Sequence, residues 1–434
     1  MNQKNYFKKV LFLGLILISV SSISQSTYFP PTTGNTWDTL SPSRLNWCPQ
    51  RIDSLYSFLQ KTNTKGFIVL KDGKVVLEKY FGTFNADSFY YWASAGKSLT
   101  ATLTGIAQEK GLLKLSDTVS NIIGNGWTSA PIAKERLITV RNLITMTSGL
   151  DDSPPSPCTN EDTTTSCLLY LKDASTRWAY HTGAYRMTEE VIATAAGSNY
   201  TAFTKSVLGN KIGMGGIWIN SVYYSKTRDA ARFGLLTLNH EIWGTDTILR
   251  DTAYYRSMTS TSQNYNLSYG YLWWLNGKSS LMLPGIPVAI NTSLAANAPS
   301  DMFCALGKND QKIYVIPSTR MVVVRLGEAA GTTQQAISAY DNDLWAQMKL
   351  LPCTNGINES AIPKTGVYPN PFTKNIQIHN APEESIYCLT NSNGTLIYQG
   401  KEIEKGNFSS LPSGIYFLKI FTDNEVKVVK LVKQ

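Results

Sequence analysis

The chain is 434 residues long, room for two or three domains, and its 43% hydrophobic and 16% charged residues exclude wholesale disorder. Its formal charge of +9 contains no block of like charge and lies partly in an N-terminal leader, so nucleic acid is not an expected partner. Three histidines without metal spacing and six cysteines without a Cys-x-x-Cys argue against a metal site, and no cofactor is expected.

The chain begins with Lys4, Lys8 and Lys9, then an apolar run from Val10 to Val20 too short to span a membrane, then Ser22-Ile23-Ser24. That pattern predicts a secretory signal peptide over 1–24, with Gln25 as the first mature residue. Residues 26–47 are rich in Pro, Ser and Thr and predict an extended lead-in. Ile52, Leu55, Tyr56 and Leu59 have helical spacing within Arg51 to Lys61. Asp72-Gly73, between two apolar strands over 66–70 and 74–80, predicts a hairpin.

Next comes Tyr91-Trp92-Ala93-Ser94-Ala95-Gly96-Lys97-Ser98-Leu99-Thr100. Leu99, Leu103, Ile106 and Ala107 continue it at helical spacing, and Gly111 predicts the stop. Ser94 should therefore open a helix, with Lys97 one turn on and on the same side. A serine hydroxyl needs a base to become a nucleophile. A lysine is such a base once desolvation lowers its pKa. Gly96-Lys97-Ser98 also imitates the end of a phosphate-binding loop, but that loop needs a glycine where Tyr91 stands.

The middle of the chain is helical and loop-rich. Ile138–Ile144 leads into Thr147-Ser148-Gly149-Leu150. A polar loop over 151–165 follows, flanked by Cys158 and Cys167, and Tyr269–Trp274 is a dense aromatic run. Export permits disulfides, and Cys158 with Cys167 is the expected pair. Strand patterns return over 302–306, 312–316 and 321–326, before a final helix from Ala336 to Leu351. Strands at both ends with helices between them predict one sheet built from both ends. Residues 353–364 read as a linker, and 365–434 as short alternating strands of a small β-sandwich.

Taken together, Ser94-x-x-Lys97, Ile138–Leu143 with Thr147–Leu150, Tyr180-x-Thr182, Ala231-Arg232-Phe233-Gly234 and the last strands resemble one family. It is the serine β-lactamase/D-alanyl-D-alanine carboxypeptidase superfamily, in the branch of class C β-lactamases, esterases and 6-aminohexanoate-dimer hydrolases. The resemblance covers roughly 45–352 and implies, for a domain over 25–352, an α/β fold: a β-lactamase-like antiparallel sheet flanked by helices, with an inserted helical region. It implies Ser94 as acylated nucleophile, Lys97 as its base and Tyr180 as proton shuttle. Ala305-Leu306-Gly307 matches the third motif, so the N–H groups of Ser94 and Lys308, beside Gly307, would form the oxyanion hole. His181, inside the tyrosine motif, is either a second proton carrier or substrate contact, or a packed side chain. Thr182 stands where the family has Asn, either at the substrate or as a helix cap. Ala305 stands where it has a Lys or His that helps seat an anionic group, with Lys308 and Arg325 as possible replacements. The implied fold also brings Cys48 and Cys353 close enough to pair.

Gly366–Phe372, Leu411–Tyr416 and Val428-Val429-Lys430-Leu431 resemble the C-terminal sorting domain of the type IX secretion system, which spans 365–434 here. That implies the secretion machinery as a partner and a secreted or outer-membrane surface location. The combined expectation is a secreted serine hydrolase acting on a small-molecule ester or amide, or a peptide. A catalytically silent binding protein of the same fold, and a β-lactamase or D-Ala-D-Ala peptidase, are the alternatives.

Overall fold

Asp72 and Gly73 have positive φ values of 50° and 83°, which suit a two-residue turn between twisted strands. They join Thr64–Lys71 to Lys74–Tyr80, the first hairpin of the fold. The structure, a computed structural model, describes residues 27–332, 334–353, 366–379, 385–422 and 426–434. The signal peptide expected over 1–24 lies outside the described residues, as does the expected linker except Cys353. The chain divides into two units, Met1–Cys353 and Thr354–Gln434.

The main sheet of the first unit is antiparallel and joins the two ends of that unit. Its order is Lys74–Tyr80, Thr64–Lys71, Met321–Gly327, Gln311–Ile316, Phe303–Gly307, Trp274–Leu275. The register sets Val69 opposite Val323 and Val315 opposite Val322. These strands read as apolar runs because both faces are covered. Val322 and Ile313 meet the helix Thr227–Leu238 at Gly234. Lys312 and Tyr314, which flank Ile313 and so point the other way, reach Asp341 on the terminal helix Ala339–Lys349. That helix packs beside the first one, Pro49–Lys61, and the Cys48–Cys353 disulfide fastens their outer ends. Each buried Val or Ile contributes roughly 1.5–3 kcal/mol of hydrophobic stabilisation.

The helix Gly96–Glu109 runs through the interior of this unit, and every residue from Gly96 to Ala107 is buried. Its threonines are therefore bonded inside the protein: Thr104 donates to Thr100 O, and Thr102 to Glu241. A small sheet that the sequence did not announce pairs Phe89–Tyr91 with Val222–Lys226, and that strand with Ile217–Ile219. The lead-in is extended only in part: it bends over 32–35 and makes a 3-10 turn at Pro42–Leu45. It is tied down by Leu40 N to Val75 O and by Trp37 Nε1 to Gly73 O.

The second unit has four antiparallel strands in the order Leu396–Gly400, Ile386–Asn391, Gly414–Phe421, Val426–Lys433. A two-stranded sheet, Gly366–Tyr368 with Gln377–His379, accompanies them. Phe372, Ile376, Leu389, Leu418 and Leu431 form their common core.

Candidate active site

Ser94 sits in a short 3-10 turn, Ala93–Ala95, that runs directly into the helix Gly96–Glu109. It therefore precedes the α-helix rather than opening it. Two features fix this turn. Trp92 is fully buried and donates from Nε1 to Ser225 Oγ, while its N–H bonds Tyr223 O. Ala93 has φ 48°, a left-handed conformation that an L-residue adopts only at a cost and that presents the next side chain at a sharp bend. Ser94 is half-buried.

Lys97 lies one turn on and donates from Nζ to Ser94 Oγ at 3.0 Å. Its ammonium sits 4.5 Å from the ring centre of Tyr185 and 5.2 Å from that of Tyr180. Burial, helped by the Arg186 guanidinium and opposed by Glu189 and Glu161, brings its pKa from 10.5 down to about 7. A lysine in this setting is neutral for much of the time near neutral pH.

Tyr180 reaches the same point from the opposite wall. Burial holds the pKa of its hydroxyl above the usual range, and the nearby Ser94 side chain opposes that shift. The ring stacks on Trp274 at 5.9 Å and meets Tyr269 edge-on. The aromatic run of the sequence is thus the backing of Tyr180, not an open pocket wall. The Thr147–Leu150 motif holds the approach to it: Ser175 N bonds Thr147 O, and Ala179 N bonds Met146 O.

Gly307 closes the site from the sheet edge. A Cβ on it would lie 2.3 Å from Trp92 O and 3.0 Å from Ala95 N, so only glycine lets the strand approach the serine turn this closely. Lys308 follows at once, its side chain exposed. Ala305 is fully buried on the same face of that strand.

Three expectations need correction. Thr182 is not the cap of the helix Thr182–Ala196; His181 is, its Nδ1 accepting from Ala184 N at 3.3 Å. His181 is 1% exposed and burial lowers its pKa to about 4, so it is a neutral packed residue without surface for substrate or a proton relay. Arg325 does not replace the missing cation at 305. It is fully buried, and its five N–H groups go to Thr64 Oγ1, Asn309 O, Asp310 O, Thr62 O and Glu328 O. Its role is to brace the hairpin that carries Lys308. Arg186 and Glu189 escaped the sequence reading, having no motif of their own. The charges of both bear on Lys97, and with Tyr200, Thr163, Glu190 and Ser221 they line a cavity of about 680 Å3 whose lining does not include Ser94.

The Beta-lactamase family model matches residues 59–346, more than half of the chain. The chain belongs to the beta-lactamase family. Solved structures agree on this fold of hydrolases. A Bacillus anthracis protein provisionally named a 6-aminohexanoate-dimer hydrolase is 18% identical over 75% of this chain and 91% of its own, with TM-score 0.56. A Bacteroides dorei DSM 17855 protein provisionally named a beta-lactamase is 17% identical over 70% and 99%, with TM-score 0.55. EstCE1, a hydrolase with promiscuous acyltransferase activity, is 13% identical over 70% and 98%, with TM-score 0.53. No curated protein matches the chain by sequence. A second model, the Secretion system C-terminal sorting domain, matches residues 366–434, so this beta-lactamase-family chain carries a type IX secretion tail.

Proposed function

We propose that this protein is a serine hydrolase that cleaves neutral, modest-sized esters or amides through an acyl-enzyme at Ser94. The observation that carries the reading is the 3.0 Å contact from Lys97 Nζ to Ser94 Oγ, made by a buried lysine with a pKa of about 7. Neutral Lys97 accepts the Ser94 proton as Oγ bonds the substrate carbonyl carbon. Negative charge on the carbonyl oxygen is met by the N–H groups of Ser94 and Lys308. As the tetrahedral intermediate collapses, Tyr180 passes a proton to the leaving alcohol or amine. Water then repeats the sequence on the acyl-Ser94 ester, releasing the acid and restoring the serine.

The preference for neutral substrates rests on what faces the site. A buried carboxylate needs a cation or several donors to offset its desolvation. Ala305 carries no charge, every N–H of Arg325 is committed, Arg186 is paired with Glu161, and the Lys308 ammonium is exposed to water, where screening weakens it. In this reading residues 1–24 are a signal peptide, 25–352 the hydrolase, 353–364 a linker and 365–434 the sorting domain. The secretion machinery would then deliver the enzyme outside the cell or to the outer-membrane surface. A fluorophosphonate probe should label the Ser94 peptide, and Ser94→Ala should lose both labelling and hydrolysis of p-nitrophenyl butyrate while keeping its fold. Wild-type-like hydrolysis by Ser94→Ala would end the assignment.

A further inference from the structure

The turn that carries Tyr180 is held by a residue no motif points to. Between Cys158 and Cys167, which form a disulfide, every side chain is polar. Such a segment has no hydrophobic content to fold itself. Within it, Asn160 Nδ2 donates to Tyr180 O at 3.0 Å and to Asp152 O at 2.8 Å. Its Oδ1 accepts from Thr182 N at 2.9 Å, and its main-chain O accepts from Gly183 N at 2.7 Å. One residue thus grips both sides of the Tyr180–Gly183 turn. It also fills two of the orphan N–H positions that the helix Thr182–Ala196 leaves at its start.

The contact is close-packed as well as hydrogen-bonded. A Cβ on Gly183 would lie 2.0 Å from Asp162 O, so the loop backbone rests directly on the helix start. The next turn adds Arg186, which donates from Nη1 to Glu161 O at 2.5 Å and pairs with the Glu161 carboxylate at 3.2 Å. Arg186 and Glu161 both act on the charge of Lys97. The disulfide-closed loop therefore touches the surroundings of both partners of Ser94.

We propose that Asn160 is a positioning residue for Tyr180, and that the Cys158–Cys167 disulfide keeps Asn160 in place. Proton delivery at Ser94 then depends on a covalent bond between residues that do not touch the substrate. The inference rests on the reading of Ser94, Lys97 and Tyr180 as the catalytic group. Displacing Tyr180 by an ångström would cost about ten- to hundredfold in kcat, the usual penalty for a misplaced proton carrier.

The test uses the full chain with Asn160→Ala and, separately, Cys158→Ser/Cys167→Ser, each with p-nitrophenyl butyrate and ethyl butyrate. Ethoxide needs a proton to leave and nitrophenolate does not. Both variants should lose about ten- to hundredfold in kcat/KM, which reports acylation, on ethyl butyrate, and clearly less on the nitrophenyl ester. In a Tyr180→Phe background, Asn160→Ala should cost less than about twofold more, since its effect passes through the missing hydroxyl. If Asn160→Ala does not fold, Asn160→Asp keeps the acceptor for Thr182 N, loses the donation to Tyr180 O, and enters the same cycle. Undiminished kcat/KM on ethyl butyrate, an equal loss of kcat/KM on both esters, or an undiminished loss in the Tyr180→Phe background would each overturn the proposal. Turnover surviving in Ser94→Ala would instead overturn the catalytic reading beneath it.

Discussion

Replacing Lys97 by methionine should stabilise the hydrolase unit more at pH 6 than at pH 9. Burial and the Arg186 guanidinium bring the lysine from 10.5 to about 7. At about 1.4 kcal/mol per unit, that shift is a penalty on the order of 5 kcal/mol for holding the charged form inside the fold. Below about pH 7 the lysine is charged in both folded and unfolded chains, and the whole penalty is present. Between about pH 7 and 10.5 the unfolded chain holds a proton that the folded chain has released, so this group's contribution to stability rises with pH. Integrated from pH 6 to pH 9, the wild type recovers about 2.5 kcal/mol. Methionine matches the lysine stem without the charge, so the variant's advantage should shrink by about that amount. Parallel urea unfolding at the two pH values, with disulfides intact, measures it. In the wild type, kcat/KM should rise with pH and level off above about pH 7, because the base must be neutral. An advantage constant to within about 0.5 kcal/mol, or an acid limb centred near pH 9 or higher, would refute the depressed pKa and with it Lys97 as the base.

The enzyme should turn over p-nitrophenyl butyrate with a higher kcat/KM than a chromogenic cephalosporin by about ten- to hundredfold, the worth of one missing charge-assisted contact; faster cephalosporin turnover would contradict this. Arg325→Lys should lower the urea midpoint, because three donors cannot serve five acceptors and each unmet buried group costs roughly 1–3 kcal/mol. It should also slow ester hydrolysis through the hairpin that carries Lys308, and an unchanged midpoint would show that the bracing is dispensable. Cys48→Ser/Cys353→Ser should destabilise the first unit, since the bond closes a loop with a sequence separation of 305 and the chain-entropy model assigns such a loop about 6 kcal/mol. Thermal unfolding of the variant beside the wild type reads the loss directly.

What the sequence displayed was local. Ser94 and Lys97 are one helical turn apart, so their meeting follows from helix geometry alone. The hairpin at Asp72-Gly73 follows from turn chemistry in the same way. The joining of first and last strands was legible because strand patterns bracket a helical middle. The rest was set by partners far along the chain. Arg325 looked like a spare cation, yet its donors are consumed by carbonyls at positions 62, 309, 310 and 328. Asn160 lies in a polar loop without periodicity, and only the folded chain brings it to residues 180–183. His181 took the capping role considered for Thr182 because its own backbone, not that of Thr182, has the extended conformation of a cap.

The sheet has a consequence for the order in which this protein takes shape. Thr64–Lys71, made early, finds its inner neighbour only in Met321–Gly327, close to the end of the first unit. Until that strand emerges, the hairpin presents a long apolar edge with unpaired N–H and C=O groups. Such an edge is a template for pairing with other chains. Contacts this distant in sequence also slow folding, because the intervening loop must close before they form. A chain made from its first residue onward thus spends most of its synthesis with its first strands exposed. Completion of the sheet waits on its last strands, and the earliest-made segment is the one most in need of shielding on the way.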